Sequence, residues 1–306
     1  MRIRLYLVSW LLVLSGLAFG QGQAGTDIAV LEAGVGARAL GMGSAFTAVA
    51  DNADAPYWNP AGLGFINNQE ITTMQTRLSS DTDHYYVSFI NPAFGGALGI
   101  SWIQIGLGNI VQTSSEVDVH NEVQNGSAFS YFSNAYLLSY GRELNEHLSV
   151  GVTAQYLTSD MYQIQGGQAS GYSISPAILL KLTTPNAKHV MVGIKLADIV
   201  NQQSWGTGTV ERVPPKLRIG LAYQSPNPGL FAVDISQTIS TGYAPEISAG
   251  YEWNESGMCL RTGYAEGGFT AGAGFAIQHA RVDYAYVTQH ALSRDNVHRI
   301  SLSGVW

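Results

Sequence analysis

The residues of this chain that could do chemistry are few and widely spaced. Its 7 histidines (84, 120, 147, 189, 279, 290 and 298) show no interval that would close a metal shell. Cys259 is the only cysteine, so no internal disulfide is possible. No G-x-S-x-G elbow, H-E-x-x-H helix or phosphate-binding glycine loop occurs, and Gly272-Ala273-Gly274 reads as part of a strand. The sequence therefore implies no enzyme, no metal and no cofactor. What stands out is charge on one face of alternating segments: Arg218, Asp234, Glu246, Arg261, Arg281, Asp283 and Arg299. Such a set can pair across neighbouring strands, or with Asp51 and Asp54 earlier in the chain, as a structural ladder. It can equally line a polar path or anchor a ligand carboxylate.

The elements that must carry these charges alternate with a period of two. Phe269, Ala271, Ala273, Phe275 and Ile277 point one way, and Thr270, Gly272, Gly274 and Ala276 the other. The same pattern recurs at 148–156, 217–223 and 282–286. One apolar face and one small or polar face is the signature of a strand that crosses a membrane as part of a barrel. Strands are predicted near 69–78, 83–90, 94–105, 127–140, 146–158, 169–183, 188–198, 214–225, 229–237, 245–253, 257–265, 268–278, 280–289 and 296–306. The expected fold is all-β: a 14-stranded antiparallel transmembrane β-barrel with an N-terminal plug, or hatch, in its lumen. The connections sort by length. Asn91-Pro92, Thr184-Pro185-Asn186, Ser225–Gly229 and Asn254–Gly257 read as tight turns at one end, while the long gaps 106–126 and 199–213 fall at the other.

Composition agrees. Only 12% of residues are charged, against roughly 25% in ordinary soluble domains. A lipid-facing surface needs no more than that. The formal charge of −7 leaves no footprint for nucleic acid. Arg2 and Arg4, the apolar run Leu5–Leu17 and the small residues Ala18-Phe19-Gly20 predict a signal peptide over 1–20. The chain is thus expected to divide into a signal peptide (1–20), a hatch segment (21–68) and a barrel (69–306) in the bacterial outer membrane. Trp102, Tyr251, Trp253, Tyr264 and Trp306 suit interfacial girdles. The alternating end Arg299–Trp306 resembles the signal read by barrel-insertion machinery, with Trp306 as its terminal aromatic.

Ahead of the barrel lies a stretch of small residues and glycines. Asn59 can cap a helical turn, and Pro60 fits its first position, where no N–H is needed. Gly36-Ala37-Arg38-Ala39-Leu40-Gly41-Met42-Gly43-Ser44-Ala45-Phe46-Thr47-Ala48-Val49-Ala50-Asp51, then Tyr57-Trp58-Asn59-Pro60-Ala61-Gly62-Leu63, resembles the opening of the FadL superfamily, most closely its PorV/PorQ branch. That resemblance implies a fourteen-stranded barrel with a hatch, in which Asp51, Asp54, Trp58, Asn59, Pro60, Ala61 and Gly62 form the hatch motif. For the PorV/PorQ branch it implies an accessory of type IX-like protein secretion, with secretion-system proteins or exported cargo as partners. For the FadL branch it implies a channel for long-chain fatty acids or other small hydrophobic compounds, with such a ligand in the lumen. Outer-membrane lipid is the expected surrounding in either case.

Overall fold

The computed structural model describes residues 29–117, 123–184, 187–240, 242–265, 268–288 and 296–306. The predicted signal peptide, the Pro185-Asn186 turn, His120 and His290 lie outside the described residues. Three short helices open the described chain: α1 (Ala29–Glu32), α2 (Ala37–Gly41) and α3 (Ala55–Trp58), with a 3-10 turn at Pro60–Phe65. Sixteen strands follow: β1 (Glu70–Ser79), β2 (Thr82–Ala93), β3 (Gly96–Val117), β4 (Val123–Asn145), β5 (Leu148–Met161), β6 (Gln168–Thr184), β7 (Ala187–Ala197), β8 (Val200–Trp205), β9 (Val210–Glu211), β10 (Lys216–Gln224), β11 (Leu230–Thr238), β12 (Glu246–Glu255), β13 (Met258–Ala265), β14 (Gly268–Ile277), β15 (Ala280–Val287) and β16 (Val297–Val305).

Fourteen of them close a ring. Each of β1–β6 pairs antiparallel with the next, β7 pairs with β10, and pairing runs on to β16, which pairs with β1. Closure matters because an open edge would leave a row of unpaired backbone groups. No helix among the described residues is long and apolar enough to cross a membrane. Burial alternates along the strands, as in β1 and β13, so one face meets the interior and the other stays exposed. Exposed positions carry Ile71, Ile100, Leu138, Val152, Leu221, Phe231, Phe269, Ile300 and Leu302, a band of large apolar side chains around the outside.

The fourteen expected strands all form, and the remaining two, β8 and β9, build a hairpin inside the expected 199–213 loop. β8 continues the direction of β7 along β6, after a break at Asp198, whose φ is 59°. Residues 212–215 take no strand pairing, which fits Pro214-Pro215: neither residue has an N–H to donate. The expected 106–126 loop is also corrected, because β3 reaches Val117 and β4 begins at Val123. Alternation fades there because a strand outside an apolar layer needs no apolar face, while its backbone pairing goes on, with register shifts at Leu107/Ile110 and beyond. Asn91-Pro92 does not turn the chain either. Both residues still pair, with Leu98 and Ala97, and the turn is Phe94-Gly95, with φ of 56° and 73° as a type I′ hairpin requires.

Connections at the end shared by Phe94-Gly95 and Ser256-Gly257 are short, and the longer ones lie at the opposite end. The two sides of the wall differ in height: β3 and β4 run to 22 and 23 residues, whereas β13 and β15 have 8 each.

Candidate functional site

Residues 29–66 pack against the inward faces of the strands, and inward-facing polar groups supply partners for their backbone. Asp234 accepts from the backbone N–H groups of Phe46 (3.0 Å) and Thr47 (2.9 Å). Ser301 accepts from Ala37 N at 2.9 Å, and Thr270 donates to the Gly41 carbonyl at 3.0 Å. Thr153 donates to Pro56 O (2.9 Å), Ser149 to Ala61 O (2.6 Å), Tyr86 to Ala53 O (3.1 Å) and Lys195 to Tyr57 O. Irregular backbone survives burial only when its donors and acceptors are met in this way. The strands also make room. A Cβ on Gly193 would stand 2.2 Å from Thr47 O, and one on Gly250 would stand 2.3 Å from Met42 O, so the segment lies directly on strand backbone there.

Asn59 plays the capping role its position implied. Its Oδ1 accepts from Ala61 N at 3.0 Å, and its Nδ2 donates to Thr47 O at 2.7 Å, fixing one end of the segment to its middle. Pro60 follows at the first position of the turn. Trp58 is buried and donates to Val35 O at 3.0 Å; Ala61 and Gly62 are buried beside it. The Gly62 position faces Ala50 O, which a Cβ would meet at 1.9 Å.

The charges converge on one ladder. Glu252 takes a bidentate bond from Arg38 (2.8 Å to each oxygen) and another from Arg261 Nε at 2.6 Å. Arg261 also pairs with Asp283 at 2.8 Å, and Arg281 pairs with Asp283 at 2.8 Å and with Glu252 at 3.7 Å. Arg38 reaches Asp51 as well. Three guanidinium groups thus face three carboxylates, which meets the main condition for keeping charge buried. Arg218 lies over the Trp58 ring at 5.5 Å, and Glu246 sits at the exposed long-loop end of β12. Asp54 takes no basic partner. Among the described residues that holds for direct ion pairs, although Arg38 and Arg281 still act on it at longer range; it accepts from Asn52 at 3.0 Å, and burial pushes its carboxyl up to about 6.

Arg38, Glu252, Lys195, Lys216, Glu32 and His84 belong to this interior, although sequence reasoning singled out none of them. Glu252 was legible: Tyr251 and Trp253 were assigned outward, which obliges the residue between them to face inward. Arg38 is the lone charge in a run of glycine and alanine. Lys216 pairs with Glu32 at 2.8 Å.

Of the expected girdle, Tyr264 meets Phe269 edge-on at the long-loop end, while Tyr251 packs on Phe231 (4.6 Å) and Trp306 on Phe89 (6.3 Å) near the short-turn end. Trp253 lies beside Tyr251, near the same end of β12. Trp102 departs from this pattern: it sits well inside β3, opposite Val87 and Tyr136, with its Nε1 on Asn134 at 3.2 Å.

Two interior spaces complete the geometry. A cavity of about 530 Å³ opens at the short-turn end between the 225–229 and 254–256 turns, with Arg38, Asp51 and Glu252 in its wall. The second space is apolar and now filled. Met74, Tyr86, Ile103, Ala135 and Leu157 lie in one hydrogen-bonded row across β1–β5, all facing inward and all buried. Val30 and Leu31 of α1 join the same cluster, α1 lying on β3 and β4.

Solved structures share this architecture. The Pseudomonas putida toluene transporter TodX matches over 89% of this chain and 97% of its own, at 15% identity and a TM-score of 0.61. The monoaromatic hydrocarbon channel CymD matches over 92% and 99%, at 14% identity and a TM-score of 0.64. A Pseudomonas aeruginosa FadL homologue matches over 87% and 96%, at 10% identity and a TM-score of 0.53. The fold is that of FadL-like channels. No protein-family profile and no curated protein matches the chain. The expectation of a protein-export accessory, drawn from the PorV/PorQ likeness, is overturned: the neighbours of this fold are hydrocarbon transporters and channels. That likeness rested on about thirty residues of the internal segment, whose contacts here are with the barrel's own inward face.

Proposed function

We propose that this chain is an outer-membrane channel for small hydrophobic compounds, exported by a signal peptide over 1–20 and plugged by the segment within 21–68. The observation that carries the reading is the inward-facing row Met74, Tyr86, Ile103, Ala135 and Leu157. A barrel that conducts ions or sugars keeps its lumen polar and water-filled. An apolar row inside a FadL-like wall suits a solute that leaves water on entry. The FadL-like architecture, shared with toluene and monoaromatic hydrocarbon channels, supports the same reading. The short-turn cavity beside Arg38 fits an exit vestibule.

The test is uptake into vesicles carrying the purified chain. Toluene entry is expected to rise over empty vesicles while glucose stays excluded. Equal rates for the two solutes would make this an aqueous pore and end the proposal. Deleting residues 34–66 is expected to leave an inserted, heat-modifiable barrel that leaks glucose; unchanged glucose exclusion would show that those residues do not plug the lumen.

A further inference from the structure

Two buried cations in the lumen, Lys195 and Arg299, pair with no carboxylate among the described residues, and Lys195 is met by the Tyr57 carbonyl. Arg299 on β16 is 3% exposed and bonds only to carbonyls, those of Ala33 (2.8 Å) and Gly34 (3.4 Å). Among the described residues no carboxylate pairs with it, unlike Arg38, Arg261 and Arg281. Its Nε has no hydrogen-bond partner. Thr76 pairs with Arg299 on one side and with His84 on the other, so the three occupy one row on adjacent strands. With strands ~4.8 Å apart, Arg299 and His84 are about 10 Å apart at the backbone, close enough for their side chains to reach one small group. The Thr76 hydroxyl and both ring nitrogens of His84 are buried without partners as well. A native interior leaves few such groups, and four polar atoms on three neighbouring residues is a concentration that asks for a ligand.

The row immediately below in register is the apolar one, beginning with Met74 and Tyr86. Below that comes a second polar row, with Thr72, Ser88 and Ser101. From Thr72 to Thr76 the wall rises only ~14 Å at strand spacing. An aromatic ring fits between these rows, whereas an extended long alkyl chain overruns them.

Resting on the channel reading above, we infer that Arg299, His84 and Thr76 bind the carboxylate of a ring-sized aromatic acid whose body lies against Met74, Tyr86, Ile103 and Leu157. The carbonyls of Ala33 and Gly34 occupy the guanidinium in the closed state, and Val30 and Leu31 fill the apolar space. The acid takes both places when α1 withdraws. A dry cavity of about 150 Å³ already suffices for a benzene ring, a volume on the scale of two aliphatic side chains.

The test is equilibrium dialysis of labelled benzoate against the detergent-solubilised full chain, with benzamide as the uncharged isostere and palmitate as the long-chain competitor. Saturable benzoate binding is expected, at least tenfold tighter than benzamide. Arg299→Gln should weaken it at least tenfold, Arg299→Lys only a few-fold, and His84→Phe several-fold. Benzoate binding that Arg299→Gln leaves unchanged, or that benzamide equals, would overturn the assignment. Palmitate displacing benzoate at lower concentration than benzoate itself would overturn the ring-sized limit. If Arg299→Gln does not insert, the double variant Thr76→Val with His84→Phe makes the same comparison with the charge kept. Toluene uptake separates the two ideas. Vesicles that pass toluene without binding benzoate leave the channel standing and remove the acid site; vesicles that bind benzoate but pass nothing do the reverse.

Discussion

The two sides of the barrel do different work. The tall side, β3–β6, faces inward with Ile103, Ile105, Ala135, Leu137, Leu157 and hydroxyls such as Ser133 and Ser159, which bond to each other at 3.2 Å. The low side, β10–β16, carries Asp234, Glu252, Arg261, Asp283 and Arg299, nearly all bound to the internal segment or to one another. Charge therefore concentrates on the low side, while the tall side holds the segment through neutral groups, Thr153 on Pro56 O and Ser149 on Ala61 O. One side thus offers the segment ionic contacts, and the other offers neutral ones beside the apolar row.

Changes on the low side should disturb the segment most. Glu252→Ala leaves the buried Arg38 and Arg261 with Asp51 and Asp283 as their only acids, a loss on the order of 3–5 kcal/mol. Urea titration of the inserted barrel should show it, together with glucose leakage from vesicles. An unchanged midpoint would mean that the ladder does not hold the segment. Asp234→Ala removes one acceptor shared by two backbone donors and should cost about 1.5–3 kcal/mol by the same titration.

Asp54 gives a smaller effect with a defined sign. Its carboxyl is raised to about 6 by burial, so the folded state holds its proton more tightly than the unfolded chain does. The stabilising contribution is complete below about 4, the usual carboxylate value, and disappears as pH rises through about 6. Attachment of the segment should accordingly weaken between those pH values, and Asp54→Asn should flatten that slope. A slope unaltered in Asp54→Asn would assign the titration to another group. The smallest effect on stability is expected on the tall side. Leu157→Met keeps volume and should cost under about 1.5 kcal/mol, while shifting toluene uptake. A larger fall in stability there than in Glu252→Ala would reverse the comparison.

Much of this division was legible beforehand. All fourteen ring strands followed from alternation, because each must present an apolar face outward along its whole crossing. Of the seven charges, Asp234, Arg261, Asp283 and Arg299 are buried and Arg218 and Arg281 partly so, whereas Glu246 is exposed. Parity located those residues but not their partners. The ladder depends on register across β12, β13 and β15, and register is set by the whole ring. Arg38 was invisible as a ligand of Glu252 because nothing local places two residues 214 apart in sequence beside each other. His84 and Thr76 were missed because a single histidine or threonine on a polar face carries no signal; only the absence of partners in the folded wall does. β8 and β9 lay beyond reach because β8 pairs with β6, and β9 with β8, without the apolar pattern that marks the other strands.

The ring closes where β1 meets β16, and the last residue takes part: Gln69 and Trp306 exchange backbone hydrogen bonds of 3.1 and 3.0 Å. The segment inside is synthesised well before the strand that seals it in. Ala37 waits for Ser301, 264 positions later. Such long-range closure makes for slow assembly. It also sets an order of events, since the first-made piece must be held in place while the staves gather around it. A chain that zips β16 onto β1 too early would shut that segment outside.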